Sequence, residues 1–402
     1  MGPVRDRSSP GYLTWLVVGL VMLACRPPVA VPPLPSKGGP VWIEAATAHF
    51  TVWTDAPDRA HELVETMERV REVVVATALF SGHVDTSRTF VIAFANKQEL
   101  GEYLPKRFDG FASSAGALFQ PVIVVAADSL DDTAHRRNLT HELTHVISYG
   151  PLPTQPRWFS EALATFYETA DFAGNRVEIG TPTQGRLQQL HHAGAIPLAR
   201  IFACNEPACM DATFYANVQA LFAFLAAEHG AELGEYMKLL AVTPAAQQDG
   251  LWARAFPSLS SLADADHAFH AWIAHGTVPV RQYTLQNETW KVDTKPLSDA
   301  DALAARGTAR FVVDSTVLPA EITAASSTDP SEIVARMIES RVTNGIPIDA
   351  ARGVVKSHPA DWRAWFLLVR ALHDGPEAHD AHVTACDLIA KNAILAPPNF
   401  CP

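Results

Sequence analysis

The sequence has no cluster of lysines and arginines: 31 basic residues stand against 43 acidic ones, giving a net charge of -12. Binding a phosphate backbone requires basic residues gathered on one face, so nucleic acid is excluded as a partner. Apolar runs are short. The stretch "LTWLVVGLVML", Leu13 to Leu23, falls well below the roughly 20 residues of a membrane-spanning helix. Charged residues make up only 18% of a chain that is 48% hydrophobic, which excludes a disordered polymer and predicts a folded one. Cysteine is also sparse, at five in 402 residues, and that length suggests two or three structural units.

The N-terminal segment combines Arg5 and Arg7, that apolar stretch and then Ala24-Cys25, the layout of an export signal. "MLAC" resembles the lipobox of bacterial lipoproteins. The resemblance implies lipidation at Cys25, membrane attachment through that anchor and, with Arg26 rather than Asp next, an outer-membrane destination. A plainly cleaved signal and an uncleaved anchor are the alternatives. Residues 26–40, "RPPVAVPPLPSKGGP", hold six prolines and no periodicity, the composition of an extended tether. Four cysteines remain for an oxidising compartment. Cys204 and Cys209 bracket a turn-like "NEPA", which favours a local disulfide and leaves Cys386 to pair with Cys401. A structural zinc site is the weaker alternative, since the four lack short-spaced pairs.

From Trp42 the pattern becomes α+β. "HFTVWTD" (His49 to Asp55), "TFVIAFA" (Thr89 to Ala95) and "PVIVVAAD" (Pro121 to Asp128) are predicted strands; "RAHELVETMERVREVVVATAL" (Arg59 to Leu79) is a predicted amphipathic helix. Further helices are expected around His141, ending near Gly150 in "GPLPTQP", then from Pro156, over 185–192 and over 214–229. This unit is predicted to span 41–280. A polar connector over 281–328 and an all-helical C-terminal domain over 329–402 follow. Within the latter, "AARGVVKSHPADWRAWFLLVRALHD" resembles one tetratricopeptide-type hairpin, which implies a surface for a protein partner.

One stretch points to chemistry. In "HELTHVIS" a helix puts His141 and His145 on one face, with Glu142 beside the first. With 16 His and 20 Glu in the chain, a chance H-E-x-x-H is expected about 0.03 times. The helix at 59–79 carries a "HEL" of its own, His61 to Leu63, without a second histidine at 65, and so is no ligand pair. A catalytic zinc takes three protein ligands and keeps one position open. Glu161 in "WFSEALA", which follows His145 after 15 intervening residues, is the expected third ligand.

H-E-x-x-H followed by "WFSEALA" resembles the gluzincin metallopeptidases, the superfamily with thermolysin, over roughly residues 42–280. Ser160 stands where Asn is commoner there and Ala162 where Gly is commoner. The resemblance implies a small mixed sheet packed on zinc-binding helices, one Zn2+ held by His141, His145 and Glu161, and Glu142 as general base. It also implies a tyrosine after the zinc helices, matched by Tyr215, and a substrate-pairing edge strand, matched by "SAGALFQPVIVVAAD". Glu168 is a candidate orienter of a ligand histidine, whereas His191 and His192 are expected to be exposed. Aminopeptidases of the superfamily carry G-x-M-E-N, which this sequence lacks. The expected function is therefore an exported endopeptidase acting on peptide or protein substrates. The alternatives are a zinc-binding scaffold lipoprotein and a hydrolase of a non-peptide amide.

Overall fold

The computed structural model describes residues 32–78, 88–104, 110–113, 118, 120–274, 278–286, 289–392 and 400–401. The chain divides into two units, residues 1–40 and 41–402. In the first, the described residues form a 3-10 turn over Pro35–Lys37, ended by Gly38 with a φ of 82° that a residue without Cβ adopts freely. The signal segment with Cys25 and tether residues 26–31 lie outside the described residues. No described helix is long and apolar enough to cross a membrane.

The second unit is mixed α and β. Strands β1 (Ile43–Ala46) and β2 (Phe50–Thr54) pair antiparallel. Helix α1 (Ala60–Thr77) leads to β3 (Thr89–Phe94), parallel to β2 with Phe50 opposite Thr89. β4 (Gly110–Ser113) and β5 (Val122–Ala126) pair antiparallel, and β5 runs parallel to β3. Next come α2 (Thr133–Tyr149), α3 (Arg157–Tyr167), a hairpin of β6 (Asp171–Ala173) and β7 (Arg176–Ile179), and α4 (Gln184–Ala193). Helices α5 (Ala212–Glu228), α6 (Gly230–Val242) and α7 (Leu262–Ala274) follow. The predicted strands and helices of this part are thus present.

Residues 281–328, expected as a connector, contain two strands and two helices. β8 (Arg281–Thr284) adds to β7, and β9 (Asp293–Pro296) adds to β1, giving a six-stranded sheet ordered β4-β5-β3-β2-β1-β9 and a three-stranded one. α8 (Asp299–Val313) starts at a capping box in which Ser298 and Asp301 bond each other's backbone N–H. α9 (Ala320–Thr328), α10 (Ile333–Thr343), α11 (Ile348–Ser357), α12 (Trp362–Leu372) and α13 (Pro376–Lys391) complete the chain. α11 and α12 are the predicted hairpin with Pro359 between them, whose carbonyl accepts from Trp365 Nε1 at 2.9 Å.

β3 and β5 are buried along their whole length, and alternate residues serve different layers. Val91, Ala93, Ile123 and Val125 join Leu63 and Met67 of α1 and Leu143 of α2 in one core. Phe90, Ile92, Phe94, Val122, Val124 and Ala126 join Trp42, Trp53 and the helices after residue 299 in a second. The sheet is therefore a middle layer, and residues 41–402 form one unit in which the C-terminal helices are a covering layer. The physical reason is α8, whose buried face is built on Ala302, Ala304, Ala305 and Ala309 and so carries a weak apolar signature. Gly307 lets α9 approach: a Cβ there would lie 2.6 Å from Ile322 side-chain atoms. Disulfides join Cys204 to Cys209 and Cys386 to Cys401, the expected pairing.

Candidate metal centre

Asp132 opens α2 by accepting the N–H groups of Ala134 and His135 at 2.7 and 3.2 Å, a side-chain cap on otherwise orphaned donors. The helix ends at Tyr149, ahead of Pro151 and Pro153, which cannot continue it. Gly150 is the C-cap, as expected, with a φ of -59° in the right-handed region. The short link turns the chain into α3, whose residues from Trp158 to Tyr167 are all buried. Trp158 and Phe159 pack against Tyr236 of α6 with ring centroids at 6.0 and 5.4 Å, fixing the helix that carries Glu161.

Between α2 and α3 three ligand-type atoms converge. Glu161 Oε2 lies 3.3 Å from His141 Nε2 and 3.7 Å from His145 Nε2, and the two Nε2 atoms are 3.1 Å apart. A tetrahedral ion with bonds of about 2.0–2.2 Å sets its ligand atoms about 3.4 Å apart. The observed triangle has that size. His141, His145 and Glu161 are thus a group able to hold a metal ion.

The far side of each ligand is engaged elsewhere. His141 Nδ1 is 2.9 Å from Glu168 Oε2, and Arg186 Nη2 pairs with Glu168 Oε1 at 2.6 Å. Arg186 Nη1 donates to Gln219 Oε1 at 3.1 Å and to the Thr165 carbonyl at 3.4 Å. His145 Nδ1 meets Ser160 Oγ at 2.9 Å, and Arg157 Nε pairs with Glu161 Oε1 at 3.0 Å. A neutral imidazole that donates Nδ1–H to such a partner turns its Nε2 lone pair inward, the arrangement that outer partners impose on metal-binding histidines. Glu161 Oε2 is buried and accepts no aligned hydrogen bond. Three electron-rich atoms in such contact repel one another unless a cation or a proton lies among them.

Without an ion, a proton plays that part. Burial opposes charge on His141, but the adjacent carboxylates of Glu161 and Glu168 outweigh it and push the imidazole up to about 10. Burial likewise disfavours the Glu161 anion, yet the two imidazoles hold its carboxyl well below the usual range. A divalent ion would supply positive charge to the same carboxylates, two units in place of the proton's one.

Glu142 is partly exposed beside His141. Tyr215, in the first turn of α5, sets its ring 6.4 Å from that of His141. Burial and the negative charges of Glu161 and Glu142, against the opposing charge of Arg157, push its hydroxyl up to about 12, so it remains a neutral donor. His191 and His192 are exposed at the end of α4, as expected. The edge strand needs correcting: β5 is interior, and the edge beside α2 is β4, immediately upstream of the predicted segment. Gly110 of β4 approaches α2 so closely that a Cβ would lie 3.3 Å from Asn138 Nδ2.

Arg157, Arg186 and Gln219 were not anticipated. Arg157 stands four residues before Glu161, a helical pairing that was legible; nothing in the sequence marks Arg186, which tertiary packing brings in. The described residues hold a second close group, His382, Cys386 and Cys401, but its two sulfurs form a disulfide. Comparison with models of known protein families gave no match, and comparison with curated proteins gave none.

Proposed function

We propose that this chain is a zinc-dependent peptidase of the gluzincin kind, cutting within peptides rather than from a free amino end. The observation that carries this reading is the convergence of His141 Nε2, His145 Nε2 and Glu161 Oε2, the last with no aligned hydrogen bond, while both Nδ1 atoms are engaged on the far side. Two imidazoles and a carboxylate suit zinc, and three protein ligands leave a position open for chemistry. Zinc held there supplies Lewis acidity at neutral pH.

The remaining chemistry belongs to side chains. Glu142 takes the proton of the attacking water and delivers it to the departing amine. Tyr215 donates its hydroxyl hydrogen bond to the substrate oxygen on which negative charge develops. Glu168, anchored by Arg186, keeps His141 oriented, and Ser160 does the same for His145. The outer edge of β4 beside α2, unpaired among the described residues, offers backbone donors and acceptors to an extended peptide. Export with a lipid anchor at Cys25 belongs to the same reading, supported by two disulfides of the kind that persist in oxidising compartments.

The test is metal content by plasma mass spectrometry on protein lacking residues 1–25 and on its Glu142→Gln variant, both incubated with a diverse peptide library. One zinc per chain in each, with cleavage only by the parent, is expected. Absence of zinc from both, or equal cleavage by both, would overturn the reading.

A further inference from the structure

Building on the peptidase reading above, we propose that Arg157 selects substrates carrying a carboxylate next to the scissile bond. Arg157 is the first residue of α3, one turn before Glu161 and on the same face, so its side chain runs over the metal-binding group. Its Nε edge is committed to Glu161 Oε1 at 3.0 Å. The side chain is nonetheless 49% exposed, and among the described residues Nη1 and Nη2 make no hydrogen bond. The guanidinium is planar, so with Nε against Glu161 the opposite edge, where Nη1 and Nη2 present two parallel N–H groups, faces away from that carboxylate. That fork matches a carboxylate in a bidentate pair.

The surroundings make this cation distinctive. Glu142, Glu161 and Glu168 place three carboxylates around the group, on a chain of net charge -12. An anionic substrate therefore needs a positive contact to approach. Arg186, the other arginine of the group, is only 17% exposed and spends its donors on Glu168, Gln219 and the Thr165 carbonyl. Of these two arginines only Arg157 keeps an outward edge, and it lies within electrostatic reach of the Tyr215 hydroxyl. The carboxylate has two sources, the C-terminus of a peptide cut one residue from its end or an Asp or Glu side chain beside the cut.

The test starts from any peptide the full chain cleaves, remade in two matched pairs: free acid against C-terminal amide, and Asp against Asn next to the cut. Wild-type, Arg157→Lys and Arg157→Gln proteins are compared by kcat/KM, with metal content measured on each. We expect the wild type to prefer one carboxylate form at least about tenfold, as loss of a charged hydrogen-bonded partner implies. Arg157→Gln should abolish the preference through KM while keeping its metal, and Arg157→Lys should keep part of it. The pair that responds identifies the source. Cleavage without discrimination by the wild type, or a preference that survives Arg157→Gln, overturns the proposal while leaving the peptidase reading intact. Loss of metal together with an equal loss of activity on both members of a pair would reduce Arg157 to a support for Glu161 and also overturn it. If the wild type cleaves no peptide at all, the peptidase reading fails and this proposal falls with it.

Discussion

Removing residues 281–402 should leave a fragment that does not fold, although the cut spares α2, α3 and every candidate ligand. The deleted part contains β9 and the helices that cover the second face of the sheet. On that face Trp42, Trp53, Phe90, Ile92, Phe94, Val122 and Val124 are each at most 7% exposed. At about 1.5–3 kcal/mol for a fully buried large side chain, uncovering these seven costs at most roughly 10–20 kcal/mol, less what Leu100, Tyr103, Leu104 and Leu118 still cover. A whole domain is stable by only about 5–15 kcal/mol. Even after a generous discount for partial burial in the unfolded chain, the loss consumes most or all of that margin. The assay is a comparison of residues 41–280 with 41–402 by near-ultraviolet circular dichroism, dye binding and urea unfolding. The longer protein should unfold cooperatively, and the shorter should bind a hydrophobic dye and show no cooperative transition. A soluble 41–280 fragment with a sharp urea transition would refute the three-layer reasoning and restore an autonomous N-terminal domain.

Three further outcomes follow from local contacts. Glu168→Ala removes the acceptor of His141 Nδ1 and strands Arg186, so metal affinity should fall about 10–100-fold in a chelator competition; unchanged affinity would remove Glu168 from the site. Replacing Cys386 and Cys401 by Ser opens a loop of separation 15, and denaturant unfolding should report a loss of about 3 kcal/mol on the chain-entropy account. Glu99 is pushed up to about 8 by burial and by the neighbouring Asp55 carboxyl, which burial also raises, so the buried pair is best served by sharing one proton. The folded chain thus holds this proton more tightly than the unfolded one, so the contribution is present below the unfolded carboxyl value near 4.5 and is lost as pH rises through about 8. Glu99→Gln should flatten the stability profile across that window, and a profile unchanged from wild type would reject the shared proton.

The candidate site was legible because its spacing is local. His141, Glu142 and His145 belong to one helix, and Glu161 is delivered by a link too short and too rich in proline to place α3 anywhere but against α2. Ser160, at a position where the resembling family more often has Asn, supplies the acceptor for His145 that a short hydroxyl can supply when the helices lie close. Arg186 was hidden because its partner Glu168 lies 18 positions away across a hairpin, with no periodicity to join them.

The layering was hidden for a related reason. β9 pairs with β1 across nearly the whole unit, and a four-residue strand carries too little pattern to announce so distant a partner. Yet the middle of the sheet already implied it. A strand with one solvated face alternates between apolar and polar residues, whereas Thr89–Phe94 and Val122–Ala126 are almost wholly apolar in both parities. Odd positions such as Val91 and Ile123 are covered by helices that precede residue 280. Even positions such as Phe90, Ile92 and Val124 meet only Leu100, Tyr103, Leu104 and Leu118 from the described residues between the strands, and α8 and its successors close the rest of that face. A sheet of this composition therefore requires a second apolar layer, and among the described residues the helices after residue 280 complete it.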